Sequence, residues 1–309
     1  MSVSVAPAAV LTPSVRRAGM VCAVVGAIAF SGKAIIVKLA YRHGVDAVTL
    51  IMYRMLFALP LFVIMAWWAG RGKPALSLRD WLAVIALGFC GYYLSSYLDF
   101  AGLSYISAGL ERLILYLNPT LVLALGWLLY RKVASGRQLL GLAISYAGVI
   151  LVFGMELYTH GAGQQVGWGA SLVFLSAVSY AVYLVYSAQY VKRLGALRLV
   201  GLATSFACLF CIAQFLLTRP LQAAQVDSAV IWLSVLNATL CTAVPVLLVM
   251  LAVERLGAAT VAQTGMIGPL STILMGVWLL GEPLTPVMVG GTALVLTGIY
   301  VFTHQAKRP

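Results

Sequence analysis

The sequence predicts an all-α polytopic membrane protein with ten transmembrane helices in two inverted five-helix repeats. Three observations carry this. Hydrophobic residues make up 62% of the 309 and charged residues 9%, whereas a soluble domain carries about 25% charged residues. The chain matches itself at an offset of 150 residues without a gap. Its basic residues fall mostly at alternate ends of the apolar runs.

Apolar runs and breaks place the helices in order. The expected spans are α1 17–40, α2 46–69, α3 79–103, α4 107–130 and α5 135–154, then α6 167–191, α7 197–218, α8 228–253, α9 258–280 and α10 285–304. Arg16 and Arg17 precede α1, whose apolar run is too long for the core of a signal peptide. Arg71, Lys73 and Arg79 join α2 to α3, and Trp67, Trp68 and Trp81 beside them read as an interfacial belt. Arg131, Lys132 and Arg137 join α4 to α5. The longest loop, Glu156 to Gln165, separates two units, 1–155 and 156–309. Lys192, Arg193 and Arg198 join α6 to α7, Arg255 follows α8, and Lys307 and Arg308 follow α10. Fourteen of the twenty basic residues thus lie on one side, with Arg42 and Arg219 in the opposite loops. Basic loops prefer the cytoplasm, so both termini are expected there, in a bacterial inner membrane.

At the 150-residue offset Pro119 meets Pro269, Gly126 meets Gly276, Gly141 meets Gly291 and Gly148 meets Gly298. Chance gives roughly half a Gly–Gly match in such a window, against the three found. Five helices is an odd number, so the second copy enters the membrane from the opposite side. Gly19 and Gly26, Gly141 and Gly148, and Gly291 and Gly298 are each two turns apart, and small residues on one face let helices approach closely. Pro119 and Pro269, preceded by Asn118 and Gly268, are expected to kink α4 and α9, as packing features or as gating points.

Ionisable residues inside a span cost about 3 kcal/mol or more and mark functional sites. They are Lys33 in α1, Arg54 in α2, Asp99 in α3, and Glu111 and Arg112 in α4, while Lys38 lies nearer an interface where it can snorkel. At a 1.5 Å rise, Lys33 is about 24 Å along α1 and Arg54 about 12 Å into α2. All of these charges fall in the outer half of repeat one; their offset partners for Lys33 and Arg54 are Tyr183 and Thr204. The simplest arrangement pairs Lys33 or Arg54 with Asp99 or Glu111. A substrate carboxylate or phosphate would use the surplus cations, Arg54 foremost, and Asp99 or Glu111 would carry a coupling proton. Tyr93 and Tyr97 on α3 and the Tyr183, Tyr186, Tyr190 stripe on α6 read either as packing and belt residues or as the wall of a cavity.

Several stretches resemble the EamA-type transporters of the drug/metabolite transporter superfamily. They are FSGKAIIVKLAY (Phe30 to Tyr41), Arg54 within MYRMLFALP, SAGLERLILYLNPTLV (Ser107 to Val122), and AATVAQTGMIGPLSTILMGVWLLGEPLT (Ala258 to Thr285) with its Gly281–Glu282 turn. The resemblance implies a ten-helix inverted-repeat carrier that exports an amino acid or related small metabolite. Phe30–Ser31 stands where many members have Trp-Gly, and Asn118 where an aromatic residue is common. Lys33, Arg54, Tyr93, Tyr97, Asn118 and Tyr183 are the expected substrate residues.

A cation-drug antiporter needs a carboxylate in its first helix, and α1 carries Lys33 instead. A membrane enzyme needs a nucleophile, base or metal set. His43, His160 and His304 sit at loops or helix ends and no HExxH is present. Cys208 and Cys211 form a CxxC inside a span, which reads as packing. No cofactor, metal or nucleic acid is expected. The expected partners are the bilayer, a small substrate and protons, with the protein a monomer or weak dimer.

Overall fold

A computed structural model describes residues 13–130, 135–160, 163–256, 261, 264–265 and 267–303. Arg131, Lys132, the α8–α9 connection from 257 to 260, His304, Lys307 and Arg308 lie outside the described residues. Among the described residues ten apolar helices run as α1 Arg16–Tyr41, α2 Ala47–Gly70, α3 Leu78–Leu103, α4 Ala108–Leu129, α5 Gly136–Thr159, α6 Gln165–Leu194, α7 Ala196–Thr218, α8 Ser228–Val253, α9 Ile267–Leu280 and α10 Pro286–Val301. The first eight are long and apolar enough to cross a membrane, and the last two are shorter apolar helices. The end of the bundle where α1 begins is called proximal below, and the other end distal.

The expected loop from 156 to 165 is helical in its described residues, 156–160 and 163–165. Helix runs to His160 and resumes at Gly163, because Glu156 is buried and anchors the last turn of α5 to Ser107. A sequence window sees the polar residues of that turn but not their partner.

Packing follows a two-fold pattern. The helices α2 and α7, which are 150-offset partners, pack on each other, as do α5 and α10. The α1–α8 contact is matched by α6–α3, and α1–α9 by α6–α4. The paired glycines make the α5–α10 crossing. A Cβ at Gly148 would lie 2.5 Å from Gly291 O, and one at Gly298 would lie 2.5 Å from Gly141 O. Backbone meets backbone there, and dispersion between close helices replaces a hydrophobic drive that lipid does not supply. Gly148→Ala is expected to destabilise the purified protein by about 1–3 kcal/mol. Gly154→Ala, on the same helix with nothing within 4 Å, is expected to leave its thermal midpoint unchanged or higher.

Both fourth helices of the repeats are broken rather than kinked. In α4 the helix stops at Leu115, turns through Tyr116 and Leu117, and restarts at Asn118. Pro119 therefore sits in a first turn, where its missing N–H costs nothing. A proline cannot donate to the carbonyl four residues back, which takes the usual helical donor from Leu115 O and Gly265 O, 150 residues apart; Gly265 O accepts instead from Gly268 N at 2.9 Å. Side chains reach both. Asn118 Nδ2 donates to Leu115 O at 3.0 Å, and Tyr116 Oη donates to Gly265 O at 2.6 Å. The two breaks thus face each other. Two further irregularities obey the offset: π turns at Phe89–Leu94 in α3 and Thr239–Ala243 in α8.

Each end is tied by a symmetry-related loop pair. At the proximal end Arg193 pairs with Asp80, Arg198 donates to Pro74 O at 3.1 Å, and Lys73 donates to Leu194 O at 3.2 Å. At the distal end Arg219 pairs with Asp46 at 3.1 Å and His43 with Asp227 at 3.0 Å. Partial burial pushes the Asp46 carboxyl up, but hydrogen bonds from Thr49 and Arg219 outweigh it and hold it below the usual carboxylate range. A depressed folded value means that this tie is fully present above the ordinary carboxylate pKa and is lost as pH falls through the lowered one.

Candidate substrate site

The charges inside the membrane converge. Lys33 Nζ lies 2.5 Å from Asp99 Oδ2 and 3.3 Å from Glu111 Oε1, joining α1, α3 and α4. Glu111 is fully buried and Asp99 nearly so. Helix ends set the depth. Asp99 lies in the last part of α3, Glu111 in the first turn after the Ser107 cap, and Lys33 past the middle of α1, so the cluster occupies the distal half of the bundle. Two acids share one lysine, so Arg54 is left without either.

Arg54 is 6% exposed and makes no ion pair among the described residues. Its Nε and Nη2 both donate to Thr242 Oγ1 at 3.1 Å, and its guanidinium lies 5.1 Å from the centroid of the Phe100 ring. Nη1 has no hydrogen-bond partner. Thr242 can accept these bonds because the π turn of α8 points its hydroxyl inward, where it donates to Asn237 O at 2.8 Å. The sequence reading missed Thr242; an isolated threonine in an apolar span carries no signal. Cys208, Cys211 and Cys241 are buried free thiols in the same region, and Cys208 packs on Met55 Sδ at 3.7 Å.

Arg112, beside Glu111 in sequence, turns toward repeat two. Its Nε donates to Thr272 Oγ1 at 3.0 Å and its Nη2 to Phe30 O at 2.9 Å. Ser31 donates to Gly268 O at 2.9 Å, next to Pro269. Phe30 and Ser31, the departures from the family pattern, thus contact the broken helices. Asn118 Oδ1 is buried without a partner.

The tyrosines separate. Tyr97 packs between the main core and the cluster around Met52 and Phe215. Tyr93 lies against Phe89 and Phe210, with ring centroids at 5.2 and 5.7 Å. Tyr183 is buried in another cluster with Val84, Leu87 and Leu199, its hydroxyl 3.1 Å from that of Tyr92. Tyr186 is 41% exposed, so the stripe on α6 does not present one wall. Spacing of three residues turns a helix by about 300°, enough to send two tyrosines to different surroundings.

A duplicated helical bundle with symmetric helix breaks, charged groups held at membrane depth in one repeat and ties at both ends is the architecture of a carrier. Similar proteins agree. The EamA-like transporter family matches residues 17–154 and 167–303. The chain is 32% identical over 299 residues to the uncharacterized transporter YcbK of Bacillus subtilis, covering 91% of this chain and 92% of that protein. It is 24% identical over 281 residues to an uncharacterized transporter of Archaeoglobus fulgidus, covering 89% and 94%. A solved crystal structure superposes with a TM-score of 0.62 over 93% of this chain and 97% of its own, at 17% identity, which shows the shared fold. With both repeats matched and a relative aligned nearly end to end, the chain is a multi-pass membrane transporter, not an enzyme, and belongs to the EamA-like transporter family.

Proposed function

We propose that the protein is a secondary-active exporter of a small polar metabolite, an amino acid or related compound, working by alternating access between its two repeats. The observation that carries this reading is the asymmetry of charge on a symmetric scaffold. Breaks, the π turns of α3 and α8, and glycine crossings recur at the 150-residue offset, whereas Lys33, Arg54, Asp99 and Glu111 belong to repeat one. A scaffold needs symmetry to open either way; a substrate does not. The end ties support the cycle. The α2–α3 and α6–α7 loops are joined at one end and the symmetry-related α7–α8 and α1–α2 loops at the other, so one pair can part while the other holds. The basic loops favour a cytoplasmic proximal end in a bacterial inner membrane.

In this reading Arg54 takes a substrate carboxylate with its free Nη1, with Asn118, Tyr93 and Tyr97 as further contacts, and the Asp99–Glu111 pair exchanges a proton against Lys33. The cation-antiporter reading is weaker because Lys33 already pairs with both acids that a cation would need.

The test is reconstitution into proteoliposomes and a flux screen of amino acids and small organic acids with and without an imposed pH gradient. Flux of at least one compound, stimulated by the gradient, is the expected result. Glu111→Gln or Asp99→Asn is expected to retain exchange down a substrate gradient but lose the response to pH. Wild-type flux indifferent to the gradient would remove the proton role.

A further inference from the structure

A cavity of about 540 Å³ opens at the distal end, beside the buried cluster but outside it. It is a size that suits a small ligand. Three charged side chains line it: Lys38 of α1, Glu156 of α5 and Glu282 of the α9–α10 loop. The two carboxylates converge on consecutive residues at the start of α4. Glu156 accepts from the Ser107 backbone N at 3.3 Å and from the Ser107 hydroxyl, and Glu282 Oε1 accepts from Ala108 N at 2.9 Å. A helix N-terminus carries partial positive charge and stabilises carboxylates placed against it. That contact holds both acids in fixed positions.

Lys38 has no such arrangement. It makes no ion pair and no hydrogen bond among the described residues, although it is half-buried on the same cavity. Snorkelling, the sequence expectation, sends its ammonium toward the membrane surface, and here that direction is the wall of the cavity that opens at the distal end. Lys38 thus brings an open positive charge to a cavity whose wall also carries the anchored carboxylates of Glu156 and Glu282, and a ligand with both signs fits that lining. Met155, Val152 and Met288 supply an apolar side to the same cavity.

We propose that this cavity is a second ligand site, a vestibule that takes a small zwitterion with its carboxylate on Lys38 and its ammonium against Glu156 and Glu282. The inference rests on the reading above that the cargo is amino-acid-like, and it names a site distinct from Arg54. Lys38 follows Lys33 by five residues, about 7.5 Å of helix rise. Glu111 follows Ser107 by one turn, its N–H bonded to Ser107 O at 3.0 Å. The vestibule therefore lies one step from the buried cluster along both α1 and α4.

The test uses Tyr105→Cys as a reporter on the cavity wall, in the full-length protein in detergent, where either end is accessible. A charged methanethiosulfonate reagent labels residue 105, and the extent is read by mass spectrometry of the peptide that contains it. The probes are the twenty common L-amino acids, the amine analogue of each lacking the carboxylate, and the N-acetyl derivative of each. At least one amino acid is expected to slow labelling fivefold or more, while its amine and N-acetyl analogues do not. Lys38→Gln is expected to abolish the protection, and Arg54→Met to leave it within twofold. The proposal is overturned if no amino acid protects, if an analogue with one charge protects equally, or if protection survives Lys38→Gln. Flux in proteoliposomes without protection defeats the vestibule and leaves the transport reading standing. Protection by an amino acid that is not transported supports the vestibule and defeats that reading.

Discussion

Replacing Arg54 with methionine is expected to lower transport about thirtyfold or more while the protein remains inserted and no less stable. The reasoning is energetic. A buried cation costs several kcal/mol of lost hydration unless a partner repays it. Asp99 and Glu111 are committed to Lys33, and the guanidinium has one threonine oxygen, one aromatic face and an unsatisfied nitrogen. Removing the charge therefore relieves a cost, and methionine fills the space flexibly. The fold has no need of the charge, which supports the proposed contact with a substrate carboxylate. A lost charge-assisted contact to a carboxylate costs about 2–5 kcal/mol, roughly thirtyfold to several-thousandfold. Two measurements are required: the thermal midpoint in detergent and the flux of the screened substrate. A fall of several degrees would make Arg54 a structural residue, and normal flux would end its binding role.

Lys33→Ala has the opposite signature. It leaves two carboxylates facing each other, one fully buried and one nearly so, and breaking a buried pair costs about 3–5 kcal/mol. A marked drop in thermal midpoint and in membrane yield is expected. Lys33→Ala combined with Asp99→Asn and Glu111→Gln is expected to recover most of the stability and none of the pH-driven transport, because the charges leave together. A single variant as stable as the wild type would mean that the acids are neutral without Lys33, and the proton role would then need another carrier. Together the two experiments separate a residue the fold tolerates from one the fold requires.

Much of the architecture is legible in the sequence because bilayer physics acts locally. A span must be long and apolar and must satisfy its own backbone, so ten helices can be read from composition alone. Self-similarity shows the duplication. The prolines showed where α4 and α9 lose regularity, but not that both break, since a break depends on which side chain receives the freed carbonyl; Asn118 and Tyr116 supply it. The π turns at Phe89–Leu94 and Thr239–Ala243 left no readable mark.

The site divides along the same line. The rarity of charge in a span picks out Lys33, Arg54, Asp99 and Glu111 from the sequence by cost alone. Pairing could not be read. With two cations and two acids at similar depth, only the azimuth of α1, α2, α3 and α4 decides who meets whom, and packing sets azimuth. That packing gave both acids to Lys33, left Arg54 to Thr242 on a distant helix, and turned Tyr183 and Tyr186 to different surroundings. It also brought Glu156, which reads as part of a loop, and Glu282, which reads as part of a turn, onto the first residues of α4 opposite an unpaired Lys38. The sequence by itself determined the solvent, the number of helices and the cost of each buried charge, since these follow from residue type and spacing. Only the tertiary structure decided the partners, because contacts across helices depend on rotations that a linear pattern does not encode.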